Sequence, residues 1–549
     1  MRRRWLGIFV VMAAVAAVAV AIGSPALLRR PPPAVTARGA RFGAEPPGTP
    51  RDGGTLRLHM EVEPPSLNPL VEHDAWTSWL TLGAIYDPLV RQDPVSGELR
   101  PALASAWELV DERTLRLTLR EGVTWHDGQP FSADDVVATF DRLQDPSASP
   151  DARADFAALE RVEKRSATEV VLHFARPAPL ALQSLAFLAI LPAHRFVAGD
   201  LRAQAASRAP VGTGPFRFVE WQPGQRIVLA RAPRPWGPPA HVERVEVRIV
   251  RDREAALELA RRGELDVLWQ LSPSQVERAE SDARLSSSRL VGFYLPRYVF
   301  VVWNTRRPGL ADKRVRQALT MLVDHERWAR LVYKGRARVV TGPFPTGSPS
   351  LDKNVIPRPF DPERARALLE AAGVRDSDGD GVREIDGKPL RLSFLALAGS
   401  PTTEQLATLM QEDFKRAGVL LDVEPTDWAA MLSRLRKHDF DLSSLQWVMR
   451  PVQDNYTLFH SSQAEAGQNY GAFKSPEVDR LLDEARATPM GPERERLDRA
   501  LHHAVDEEQP YTFLGSPEVD SLVSARVRGY APDAAGLGLA DIWLDGAAP

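Results

Sequence analysis

Leu115, Leu117 and Leu119 alternate with Arg116, Thr118 and Arg120. That period of two predicts a strand with one buried and one wet face. Gly122 ends the run, and His126-Asp127-Gly128 supplies the positive φ that a tight reversal needs. The period then changes. Ser132 stands as an N-cap with Asp135 three residues on, Phe131 and Val136 are spaced to clamp the start of a helix, and Val136, Val137, Phe140 and Leu143 make one apolar stripe. Strand, turn and capped helix in one short stretch point to an α/β chain. Turn chemistry accounts for His126 and Asp127, so the pair is not read as an acid and base.

Arg2, Arg3 and Arg4 precede an uncharged apolar run from Trp5 to Ile22, the n-region and h-region of an export signal. Residues 1–23 are therefore expected to be a signal peptide, with small residues at Ala19 and Ala21 or Ser24 and Ala26 for cleavage. The alternative is a signal anchor, because 18 apolar residues approach the length that spans a bilayer. Either route places the rest on the periplasmic side of the membrane. Residues 24–52, with Pro31-Pro32-Pro33 and Pro46-Pro47, are expected to be a disordered, proline-stiffened spacer. The chain has no cysteine, which excludes disulfides and a lipidated cysteine. Its formal charge of −3 becomes −6 without the three signal arginines, so no electrostatic case for nucleic acid exists. About 500 residues remain, more than one core usually serves, which suggests two or three domains.

Several segments after the spacer share a pattern with a known family. Glu63-Pro64-Pro65-Ser66-Leu67-Asn68-Pro69 follows a strand from Gly54 to Met60. Tyr86-Asp87-Pro88-Leu89, Leu103 to Trp107, the block from Thr114 to Phe140, and Val211-Gly212-Thr213-Gly214-Pro215-Phe216 come next. The glycines there do not make a phosphate loop, because no Lys-Ser/Thr follows and Pro215 lacks a backbone donor. Ala311 to Val323 reads as a helix with Arg314 and Arg316 on a solvated face, and Phe360-Asp361-Pro362-Glu363 opens another, running to Gly373. Together these segments resemble the family 5 extracellular solute-binding proteins, the peptide- and nickel-type binding components of ABC importers. The resemblance covers residues 54 to about 545. It implies an α/β, two-lobed periplasmic-binding-protein-like fold of class II type with an added small domain. Lobe I would comprise 53–87, 209–300 and 510–549, the inserted small domain 88–208, and lobe II 301–509. The implied partners are a small solute, foremost a short peptide, and an inner-membrane ABC permease. A monomer without cofactor is expected.

The resemblance also suggests site residues. Glu63 and Pro64 fall in a turn that lies at the cleft edge in relatives. Trp303 with Asn304, Trp428 and Trp447 each resemble cleft positions of peptide binders, where an indole offers broad apolar contact and one donor. Three residues after the Trp447 position, oligopeptide binders carry an aspartate that holds the peptide ammonium, but this chain has Arg450. Two like charges about 4 Å apart repel by about 4 kcal/mol at an effective dielectric near 20. Arg450 would suit a carboxylate instead. It is otherwise a surface arginine, or Asp454 takes the aspartate's place. Asp376, Asp378 and Asp380 look like half of a calcium loop, but Gly387 stands where a bidentate glutamate is needed, and a polar surface turn is the better explanation. No metal site is assigned.

Enzyme motifs are missing. No G-x-S-x-G or H-E-x-x-H occurs, and His502 and His503 lie among acidic neighbours that suggest an exposed helix. The expectation is a non-enzymatic binder whose two lobes close around a solute. A membrane-tethered solute sensor on the same fold, or a binder of a non-peptide acidic solute, is the alternative.

Overall fold

The computed structural model describes residues 48–546 apart from 72–74, 94–97, 198, 234–235, 345, 347, 450–453, 466 and 533–537. The export segment, most of the spacer and Arg450 lie outside the described residues. The last spacer residues are docked rather than free, since Asp52 accepts from His241 Nδ1 at 3.0 Å and pairs with Arg231 at 3.3 Å.

Two mixed sheets form the body. The first runs in the order Arg289–Phe293, Val519–Val523, Val267–Leu271, Thr55–Met60, Arg244–Ile249, Arg226–Arg231, Phe216–Gln222. The second runs Ala337–Val339, Tyr511–Pro517, Arg297–Trp303, Leu442–Val448, Arg391–Leu397, Leu420–Thr426. Both faces of the second sheet are covered. Val299, Val301 and Trp303 point into one core, and Tyr298, Phe300 and Val302 into another. That two-sided burial is why Arg297–Trp303 reads as a nearly continuous apolar run.

The chain passes between the sheets twice, at Tyr294–Pro296 and at Glu518. These crossings correct the expected lobe boundaries of 300/301 and 509/510. Tyr511–Pro517 pairs with Arg297–Trp303 and Ala337–Val339, so it belongs to lobe II. The sequence hides this switch because both flanking strands are fully buried and one residue, Glu518, separates them.

The small four-stranded antiparallel sheet of Ala104–Asp111, Thr114–Leu119, Glu169–Phe174 and Leu159–Ser166 lies in the expected insert. Its Leu115, Leu117 and Leu119 are buried as the alternation requires, and they share one core with Leu56, Leu58 and Val245 of the first sheet. The helix Ala133–Leu143 carries the full capping box, with Ser132 N donating to Asp135 Oδ2 at 2.8 Å. His126 joins the insert to lobe I. Its Nδ1 accepts from Gly212 N at 3.1 Å and its Nε2 donates to Gly214 O at 2.9 Å. A Cβ at Gly212 would sit 1.8 Å from the Ile85 carbonyl oxygen, so close backbone approach accounts for the glycine.

One charged residue departs from the sequence reading. Arg316 is 2% exposed rather than solvated. It donates to the carbonyls of Leu310, Ala311, Glu508 and Gln509, placing a cation at the negative end of the helix Pro492–Glu508. Burial lowers its pKa to about 10. Arg314 stays outside and pairs with Asp312.

Burial lowers the pKa of His59 to about 4 and also pushes down those of His126, His325 and His502. The fold therefore holds neutral rings that the unfolded chain protonates below about pH 6.5. Their stability contribution is complete above that value and is lost as pH falls below it, for His59 down to about 4. For His59 alone the loss is on the order of 3 kcal/mol. Thermal melts from pH 7.5 to 4.5 should show a falling Tm, with a shallower slope for His126→Gln. A Tm independent of pH would refute the neutral-ring account.

Candidate functional site

Thr55–Met60, Arg244–Ile249 and Val267–Leu271 are parallel, so Met60, Ile249 and Leu271 end on one edge of the first sheet. Leu271 lies opposite Asp520, and Phe293 opposite Val519, which puts both crossings on that same edge. Thr55–Met60 has its two parallel partners on opposite sides, a topological switch point where open α/β sheets bind ligands. In the second sheet Arg297 lies opposite Val448 and Ala337 opposite Pro517. Arg391–Leu397 runs parallel to Leu420–Thr426 and Leu442–Val448. The carboxyl ends at Leu397, Thr426 and Val448 therefore share the edge at which the crossings arrive. A cleft between the two carboxyl edges is the candidate site.

On lobe I, the loop after Met60 lines a groove of about 490 Å³ with Pro64, Arg208, Trp221 and Arg251. Glu63 braces this wall: its carboxylate accepts from Trp221 Nε1 at 2.8 Å and from Gly224 N at 3.0 Å. On the strand next to Thr55–Met60, Gln270 holds φ at +57° beside the register shift between Leu268 and Leu271. A non-glycine residue in that region costs on the order of 1–2 kcal/mol. Alternation in the strand gave no signal for it.

On lobe II, Trp447 stacks between Phe300 (6.0 Å, 18°) and Tyr470 (6.2 Å, 21°). Its Nε1 lies against the Tyr511 hydroxyl, and burial pushes the phenol pKa values of Tyr511 and Tyr298 up. Trp428, 53% exposed, and Val448, 65% exposed, present apolar surface on the same edge.

A family model described as bacterial extracellular solute-binding proteins, family 5 Middle, matches residues 98–469. The chain belongs to this family. It is 27% identical to the oligopeptide-binding protein AppA of Bacillus subtilis, over 88% of this chain and 90% of AppA. It is 30% identical to protein XP55 of Streptomyces lividans over 87% of each. The structure of AppA in complex with a nonapeptide aligns with a TM-score of 0.76 at 26% identity, covering 90% of this chain and 100% of that one. NikZ of Campylobacter jejuni, in complex with Ni(L-His), aligns with a TM-score of 0.76 at 25% identity, covering 89% and 99%. The two-lobed α/β architecture is thus that of the family 5 solute-binding proteins.

Within this family 5 fold, the residues expected at the cleft divide. Glu63, Pro64, Trp428 and Trp447 lie at or just beyond the carboxyl ends of strands, on the edge that the crossings meet. Trp303 and Asn304 do not. Trp303 ends its strand opposite Leu442, about 20 Å from Arg297 along the strand, and both side chains are fully buried. Trp303 Nε1 donates to Thr512 Oγ1 at 3.1 Å, and Asn304 Nδ2 donates to the carbonyls of His438 and Phe440. An antiparallel strand that starts at the cleft must finish away from it. Asp454 already pairs with Arg486 at 3.1 Å, and its Oδ1 accepts from Tyr456 N, so it is no free anchor for an ammonium. His502 corrects the exposed reading. It is buried, with Nδ1 accepting from Asp352 N at 3.1 Å. Asp376, Asp378, Asp380 and Glu384 form an acidic cluster in a hairpin whose own backbone N–H groups donate to Asp376, Asp378 and Asp380.

Arg336 bridges the lobes beside the crossings. It donates to Asp520 Oδ1 at 3.1 Å and to Glu280 Oε1 at 2.7 Å, and both Arg336 and Asp520 are buried. Removing the guanidinium leaves a buried carboxylate uncompensated. Arg336→Ala should destabilise the protein by about 3 kcal/mol in chemical denaturation and expand the ligand-free particle in small-angle scattering. A loss below about 0.5 kcal/mol would show that the bridge contributes no more than an exposed pair.

Proposed function

We propose that this chain is the solute-binding component of an ABC importer, that its cargo is a short peptide, and that it works outside the cytoplasmic membrane as a monomer. The carrying observation is that the carboxyl edges of both sheets meet the two crossings, one edge with a braced groove and the other with exposed Trp428 and Val448 beside the stacked Trp447. Two crossings near the cleft suit hinge closure, in which the solute favours the closed state and hides from water. Partly exposed Trp447, held by stacking on buried Phe300 and Tyr470, together with exposed Trp428 and Val448, supports contact with variable side chains. No bond in the cargo needs to change. The peptide-binding relative AppA supports the solute class. Among the described residues no helix is long and apolar enough to cross a membrane, and the segment Trp5 to Ile22 supports export.

The test is calorimetric titration of the purified protein with di- to pentapeptides, paired with peptide uptake in cells lacking the gene. Micromolar peptide binding, lower uptake on deletion, and a loss of about 2 kcal/mol of affinity in Trp447→Ala are expected. Absence of peptide binding together with tight binding of a nickel–histidine chelate would replace this reading with a metal-chelate one.

A further inference from the structure

The groove on lobe I contains two cations that no carboxylate of the described protein neutralises. Arg208 and Arg251 are exposed on its walls and make no ion pair among the described residues. The two acids of the same groove are already engaged. Glu61 pairs with Arg253 at 2.7 Å, and Glu63 accepts the N–H groups of Trp221 and Gly224. The Arg208 guanidinium is also positioned in advance, 4.4 Å from the centre of the Trp221 ring that Glu63 anchors. Stacking fixes the plane of the fork and leaves its N–H edge for a planar, two-oxygen acceptor.

We propose that this groove is a carboxylate subsite, in which Arg208 and Arg251 hold a free carboxylate of the bound solute on lobe I. The proposal rests on the peptide-binding reading and adds the polarity of the cargo. Glu63 keeps its charge among neutral N–H donors, so the selection rests on geometry: a carboxylate gains charge-assisted, bidentate hydrogen bonds from the guanidinium forks that an ammonium cannot make. The loop position supports it, because Glu61 to Pro65 leaves the strand at the switch point of the sheet, on the edge where the crossings arrive. Trp221 acts as a positioning residue through Arg208.

A peptide offers this carboxylate either at its C-terminus or on an acidic side chain. Calorimetry with Ala-Ala-Ala and Ala-Glu-Ala, each as free acid and as C-terminal amide, separates the two. Removing the carboxylate that pairs should weaken wild-type binding about tenfold. Sensitivity to amidation identifies the terminal carboxylate, and sensitivity to glutamate identifies the side chain. Arg208→Gln and Arg251→Gln are exposed changes that should keep the wild-type melting temperature. Each should bind the charge-depleted peptide as tightly as wild type while losing most of the tenfold preference. Arg208→Lys, which keeps the charge but not the planar fork, should lose part of it. If wild type and both glutamine variants bind all four peptides alike, the carboxylate subsite is refuted while the peptide reading stands. If wild type binds none of the four peptides, the peptide reading falls and takes the subsite with it.

Discussion

The rest of the molecule depends on how the chain crosses between its two sheets. At Tyr294–Pro296 and at Glu518 it leaves one sheet and joins the other within a few residues. Short backbone and side-chain bonds hold these crossings, with Glu518 N donating to Arg336 O at 2.7 Å and Ser516 Oγ to Leu295 O at 3.3 Å. Because both crossings meet the carboxyl edge of the parallel strands, everything that follows those strands faces the same space. Strand direction, rather than any attraction between them, puts the ends at Met60, Thr426 and Val448 on the edges that the crossings meet.

Side chains near the crossings divide the work. Arg336 ties the lobes through Asp520 and Glu280, and the Arg338 guanidinium lies 3.7 Å from the centre of the Tyr294 ring. Farther along the edge, Glu63 fixes Trp221 and the Phe300–Trp447–Tyr470 stack makes a rigid wall. Aromatic walls lose little side-chain freedom when they grip a ligand, because few torsions remain to be ordered. Acids and bases that look exposed in the sequence are used to hold helices and loops. Arg316 takes the carbonyls at the end of the helix Pro492–Glu508, and His502 accepts from the backbone of Asp352.

Local signals were read well where one segment decides the outcome. Alternation at Leu115, Leu117 and Leu119, the capping box at Ser132 and Asp135, and Asp361 with Pro362 at a helix start all depend on neighbours within a few residues. Segments whose fate depends on distant partners were read poorly. Tyr511–Pro517 and Val519–Val523 look like one buried run and belong to different sheets. Arg316 looks like any helix-surface arginine until the end of a helix almost two hundred residues later in the chain covers it.

The sequence by itself determined the family, the α/β alternation and the local caps and turns, because these follow from short-range periodicity and recurring motifs. It also marked Glu63, Pro64, Trp428 and Trp447 as cleft candidates through resemblance. Only the tertiary structure decided that Trp303 and Asn304 lie at the closed end of their strand, that Glu63 braces Trp221, and that Arg208 and Arg251 share one groove. The physical reason is direction. A sequence shows which residues form a strand, but the pairing of strands decides which end of each one meets the cleft, and that pairing is set by contacts between residues far apart in the chain.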